Sequence, residues 1–233
     1  MRVIGLLGGM SWESSAEYYR LLNQSVRVRL GGVHSARLLL WSFDFADIEA
    51  LQAADRWDDA AALLIDAARG LERGGAELLV ICTNTMHLLA PQIQDAIQIP
   101  LLHIADPTAE HIRAQNLSRI GLLGTAFTME RDFYTSRLRD AGLDPLVPAS
   151  GDRALVHRVI YDELVRGRIE PVSRDRLRGV IARLVERGAQ AIILGCTELM
   201  LLVKLEDSAV PLFDTTALHV EAAIDWSLKT GTQ

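Results

Sequence analysis

The chain is short of lysine, of cysteine and of positive charge, and each shortage removes a class of function. Only two of its 233 residues are lysine, Lys204 and Lys229. A pyridoxal-phosphate enzyme needs a Schiff-base lysine, and neither of these falls at a strand exit. Only two are cysteine, Cys82 and Cys196, with no C-x-x-C spacing, which argues against a disulfide framework or redox pair. The six histidines are scattered, and Cys82 with His87 makes a C-x₄-H pair lacking further ligands, so no metal and no cofactor is expected. A formal net charge of −6 leaves no basic footprint for nucleic acid or an anionic membrane. No apolar run approaches the roughly 18 residues of a spanning helix. The opening MRVIGLLGGM is too short in its apolar part, and lacks the cleavage-site context, for a signal peptide. A cytoplasmic protein with free thiols is the expectation. GLLGGM also lacks the G-x-G-x-x-G fingerprint of dinucleotide binding.

What is present is a repeat. IGLLGGMSWESSAEYY from Ile4 is echoed by IGLLGTAFTMERDFY from Ile120, and LERGGAELLVICTN (71–84) aligns without gaps on VERGAQAIILGCTE (185–198). Glu72, Arg73, Gly74 and Cys82 thereby match Glu186, Arg187, Gly188 and Cys196. Apolar residues at helical spacing predict a helix over 58–73, stopped by Gly74-Gly75. The run 78–81 is then an all-apolar strand of the kind found in parallel sheets covered on both faces. The second half predicts a helix over 173–187, a stop at Gly188 and a strand over 191–194. Hydrophobic content of 49% supplies a core for two α/β domains with parallel sheets, 1–115 and 116–213, related by duplication, with a tail helix in 214–233. Ligands of open α/β sheets bind at the carboxyl ends of strands, and both cysteines fall there.

The thiolate is the reactive form of cysteine, and a helix N-terminus favours it. Thr83-Asn84-Thr85 and Thr197-Glu198 follow the two cysteines, cap a helix start and leave backbone N–H groups for a carboxylate. A lowered thiol pKa is therefore expected. If the halves face each other about a pseudo-twofold axis, one cysteine approaches each side of a shared cleft. That arrangement suits removal of a proton from one face of a carbon and delivery to the other. A lone buried cysteine is usually a small hydrophobe; equivalent placement at two strand exits favours the reagent. His87 either tunes the Cys82 thiolate or caps its helix, and Met10 either covers the pocket or joins the core.

The segments IGLLGGMSWES, RLGGVHSA, CTNTMH, HIADPT, LLGT…TME and ILGCTEL together resemble the aspartate/glutamate racemase superfamily, and within it the bacterial broad-specificity amino-acid racemases. The resemblance spans the chain. It implies a cofactor-independent two-base racemase with Cys82 and Cys196 as the acid/base pair. It also implies a substrate site lined by Met10, Gln52, Thr83, Asn84, Thr85, Thr125, Thr128, Thr197 and Glu198, a tail that returns to the first domain, and a homodimer. A hydantoin racemase, a maleate-type isomerase, or a non-catalytic amino-acid-binding protein on the same scaffold are its rivals. Aspartate-specific members hold the second carboxylate with an arginine after the second strand and a basic residue in the second half. Arg166 matches the latter, but the first segment, WSFDFADIEALQ from Trp41, carries Asp44, Asp47 and Glu49 and no arginine. Neutral or basic amino acids are the expected substrates.

Overall fold

A computed structural model describes residues 1–229. Its first sheet is parallel, in the order β2-β1-β3-β4, built from β1 (Ile4–Gly8), β2 (Leu38–Ser42), β3 (Leu78–Ile81) and β4 (Leu101–Leu102). The second repeats that order as β6-β5-β7-β8, from β5 (Arg119–Gly124), β6 (Asp144–Leu146), β7 (Ala191–Gly195) and β8 (Leu212–Asp214). The central strands β1, β3 and β7 are buried throughout, and β5 is buried after Arg119, as expected of parallel strands with helices on each face. The duplication read from the sequence is thus a duplication of topology.

Helix α1 (Trp12–Leu30) follows β1, and α2 (Phe45–Ala53) and α3 (Trp57–Arg73) follow β2. Helix α3 buries Ala60, Ala61, Leu64, Ala67, Ala68 and Leu71, a stripe at helical spacing. It ends where Gly75 adopts φ +96° and the Ala76 N–H donates to the Leu71 carbonyl at 3.0 Å. Its counterpart α9 (Pro171–Glu186) ends the same way, with Gly188 at φ +93° and the Ala189 N–H on Leu184 at 3.0 Å. Each stop turns the chain straight into the strand that carries a cysteine. Between these lie α4 (Ala90–Ala96), α5 (Ala105–Ala114), α6 (Ala126–Glu130), α7 (Asp132–Asp140) and α8 (Ser150–Arg158), and after β7 come α10 (Leu199–Leu202) and α11 (Thr215–Leu228).

The chain divides into two compact units: Met1–His103 with the residues from His219 on, and Ile104–Leu218. The boundary lies before α5, not at 115/116 as the repeat suggests. The reason is packing: Ile104, Ala105, Ala109 and Ile112 share a core with Ile120, Leu122, Tyr134 and Leu138. The division at the far end falls inside α11, not at 213/214. From His219 onward that helix belongs to the first unit, where Val220, Ala223 and Ile224 pack with Ile4, Leu6, Tyr18 and Leu22, and Arg29 pairs with Glu221 and Asp225. Residues 230–233 of the expected tail lie outside the described residues. Among the described residues no helix is long and apolar enough to cross a membrane.

Candidate active site

Cys82 leaves β3 with its N–H still bonded to the Leu7 carbonyl of β1, at 2.9 Å. It is 1% exposed, among Tyr18, Leu22, Val80 and Ala223. Burial alone pushes its thiol far above the ordinary range. Asn84 and Thr85 behind it are buried and Thr83 is half-buried. The helix expected near Asn84 is a 3₁₀ turn, Thr85–Leu89, running on into α4. Gln52 is buried and donates to the Met86 sulfur at 3.0 Å. Met10 and Met86 belong to one apolar cluster with Ile48, so Met10 is a core residue as well as a neighbour of the β1 exit. The turn there depends on Gly9, at φ +81°, whose N–H donates to Ser15 Oγ at 2.7 Å. Ser11 caps α1 beside it.

Cys196 follows β7 and is 8% exposed. Its thiol donates to Glu198 Oε2 at 3.0 Å, and the Thr197 hydroxyl donates to the same oxygen at 2.6 Å. Burial, then the negative charge of Glu198, pushes this thiol up as well. Thr125 caps α6, accepting the Thr128 N–H at 3.3 Å. Thr128 packs over the paired glycines Gly124 and Gly195, since a Cβ at either would lie 3.1 and 3.5 Å from its methyl. Those two glycines therefore let Thr128 reach the strand end that carries Cys196.

The expected lowering of the thiol pKa is corrected: both thiols are raised. A four-residue helix after Cys196 and a 3₁₀ turn after Cys82 offer little dipole, and burial penalises the thiolate. His87 directs its Nδ1–H to the Thr83 carbonyl, at 2.8 Å. Asp44 is occupied as the cap of α2, accepting the Ala46 N–H at 3.1 Å, and Asp47 and Glu49 are exposed. Phe43 and Phe45 lie half-buried against the first core. Arg166 ends a 3₁₀ turn, exposed, so it is placed with none of the other site residues by any described bond.

Sequence reasoning missed two features. His157 accepts the Ala126 N–H at 3.2 Å and so holds the opening of α6; no motif marks it. Tyr18, His103 and His219 gather behind the Cys82 turn with His87. Of these, His103 falls in HIADPT and Tyr18 in the repeated IGLLGGMSWESSAEYY, while no motif marks His219. Lys204, the one lysine near this half's turn, donates to the Met200 carbonyl at 2.8 Å and is exposed.

A family model described as Asp/Glu/hydantoin racemase matches residues 7–223. The chain is 52% identical to a putative Asp/Glu racemase of known structure from Yersinia pestis, covering 98% of this chain and 100% of that one, with a TM-score of 0.91. It is 32% identical to an aspartate racemase homologue from Pyrococcus horikoshii OT3, over 97% and 99% of the two chains, with a TM-score of 0.84. The broad specificity amino-acid racemase RacX of Bacillus subtilis is 24% identical over 170 residues, 72% of each chain.

Proposed function

The chain belongs to the Asp/Glu/hydantoin racemase family and is a racemase of that kind; on that premise we propose a cofactor-independent amino-acid racemase of broad specificity whose two bases are Cys82 and Cys196. The observation that carries this reading is the equivalence of the two thiols. Each lies one residue or less beyond the same strand of a repeated sheet, and each is followed by threonine.

The chemistry follows from their environments. Both thiols rest protonated, because burial penalises the thiolate. Glu198 accepts the Cys196 proton across the bond it already makes, leaving a thiolate that removes the α-hydrogen. Cys82 then gives its proton to the opposite face of the carbanion. The product state has Cys82 as thiolate, Cys196 as thiol and Glu198 still holding the first proton. It is the starting state for the other enantiomer, and return of the Glu198 proton to Cys82 through solvent restores the resting enzyme. The substrate ammonium group offsets the thiolate charge. Thr83, Asn84, Thr85 and Thr197 supply hydroxyl, amide and backbone donors for the carboxylate, with Met10, Gln52, Thr125 and Thr128 around them.

Neutral or basic substrates are favoured over aspartate and glutamate. The segment after β2 offers acids and no arginine, and a side-chain carboxylate facing Arg166 alone would be buried poorly paired. The kinship with RacX supports breadth. Homodimeric assembly and a cytoplasmic location complete the proposal.

The test is stereoinversion by the purified protein without added cofactor, followed by chiral chromatography over a panel of L- and D-amino acids. Racemisation should be lost in Cys82→Ala and in Cys196→Ala, since each then lacks the proton carrier of one face. A single variant keeping more than about a tenth of the wild-type rate, a barrier change under roughly 1.4 kcal/mol, refutes the two-base assignment.

A further inference from the structure

Four elements of the first unit bring a titratable ring to one buried place behind the Cys82 turn. Tyr18 comes from α1, His87 from the 3₁₀ turn after Cys82, His103 from the exit of β4, and His219 from α11. All four are at most 5% exposed. The His87 and His103 rings meet edge-on with centroids 4.6 Å apart, and His87 and His219 likewise at 5.7 Å. Among the described residues no group of three or more His, Cys, Asp or Glu is arranged to hold a metal ion, so the cluster calls for another account.

The hydrogen bonds supply one. His219 Nε2 lies 2.9 Å from the Leu102 carbonyl, which can only accept, so this nitrogen carries the proton. Its Nδ1 therefore accepts from the Tyr18 hydroxyl at 2.8 Å. His87 is fixed in the other sense, its Nδ1–H on the Thr83 carbonyl at 2.8 Å. In an α-helix the His87 backbone N–H would bond that carbonyl. Here it goes to Asn84 instead, at 3.1 Å, and the imidazole of the same residue takes its place. The ring that closes the turn is thus clamped by two other rings, one of them held by three elements at once.

The second half shows that the device is particular to Cys82. Cys196 is steadied by a carboxylate on the thiol itself, and the residue equivalent to His87 is Leu201, 40% exposed. The first half has Asn84 where the second has Glu198, so it lacks that carboxylate.

We propose that His87 is the positioning residue of the Cys82 turn, acting on the thiol through the Thr83 carbonyl, with His103, His219 and Tyr18 as its clamp. This rests on the reading of Cys82 as a base. Asparagine places its Nδ2 where histidine places Nδ1, and glutamine reaches one bond too far. H87N should therefore keep the bond and H87Q should lose it.

Two measurements test this in the full chain, on variants whose thermal melting is cooperative. The first is the rate of Cys82 alkylation by iodoacetamide, read by mass spectrometry: it should rise severalfold in H87Q and stay near wild type in H87N. The second is α-hydrogen exchange into D₂O of the amino acid that the wild-type protein turns over fastest. In a C196A background, where Cys82 alone exchanges, H87Q should cost about a hundredfold, the loss expected for a reacting group displaced by about 1 Å. In a C82A background, where Cys196 alone exchanges, it should cost nothing. Equal losses in both backgrounds, or H87N behaving as H87Q in alkylation, would overturn the proposal. If alkylation follows the expected order but no amino acid is turned over, the positioning role stands and the racemase reading falls.

Discussion

Placing a serine hydroxyl at each cysteine separates the two thiol environments by a stability measurement that needs no substrate. At position 82 the hydroxyl enters a site 1% exposed, among Tyr18, Leu22, Val80 and Ala223, where the thiol is governed by burial alone. An unsatisfied buried hydroxyl costs about 1–3 kcal/mol. Cys82→Ser should therefore be less stable than Cys82→Ala by that amount. At position 196 the hydroxyl inherits the 3.0 Å bond to Glu198 Oε2, and a hydrogen bond to a charged group contributes about 1.5–3 kcal/mol. Cys196→Ser should therefore be more stable than Cys196→Ala. The Ser-minus-Ala difference changes sign between the two halves, with a total spread of about 2.5–6 kcal/mol. Urea unfolding of the four variants under reducing conditions, at equal m-value, measures it. Serine no worse than alanine at 82, together with serine no better than alanine at 196, would refute the environments assigned here.

Gly9→Ala should destabilise severely, because a Cβ at φ +81° would lie 2.2 Å from the Phe43 carbonyl oxygen and 2.4 Å from its nitrogen. The left-handed conformation alone costs about 1–2 kcal/mol, so a total near or above about 3 kcal/mol is expected in urea unfolding. Gly151→Ala, in open space on α8, should be neutral or stabilising by up to about 1 kcal/mol. Stability should also fall in alkali. The folded thiols are raised above the ordinary 9.0 by burial, and at Cys196 also by Glu198. The unfolded chain therefore releases these protons first, and the stabilisation, complete below about pH 9, is lost as pH climbs toward the folded values, by up to about 1.4 kcal/mol per pH unit per thiol. Unfolding free energies between about pH 8 and 10.5 should slope downward, and each Cys→Ala variant should flatten the slope; a flat wild-type profile refutes the thiol environments.

The topology and the thiol placement were legible in the sequence because both are written locally. An all-apolar run such as 78–81, a glycine stop before it and a polar turn after it need only a few neighbouring residues to be read. The domain edge was not legible. Whether α5 joins the unit before it or the one after it depends on Ile104, Ala109 and Ile112 finding Tyr134 and Leu138, partners that no local pattern names. The thiol pKa was not legible for a related reason: the strand exit suggests a helix N-terminus, whereas burial, and at Cys196 the charge of Glu198, raises both thiols. The family resemblance implies Glu198 as a substrate residue, but its bond to Cys196 follows from a turn geometry that the letters C-T-E do not specify. The His87 clamp was least legible of all, since His219 reaches it from a helix far along the chain.

The repeat placed two thiols at the same backbone position and then let their supports diverge. Position 84 is asparagine where 198 is glutamate, and position 87 is histidine where 201 is leucine. One half acts on the thiol directly with a charge; the other fixes the backbone that carries it. In a two-base racemase this difference cannot favour one direction of net reaction. Enantiomers in water have equal free energies, so kcat/KM must be the same from either side whatever the protein does. What asymmetry can set is where the shared proton rests. Glu198 offers Cys196 an acceptor at 3.0 Å, whereas the Cys82 thiol is surrounded by apolar groups that favour its neutral form. Burial penalises both thiolates, and at Cys196 the negative charge of Glu198 penalises the thiolate further, so the two thiolates form at unequal cost. That inequality falls on the individual kcat and KM values for the two enantiomers, while kcat/KM stays equal for both.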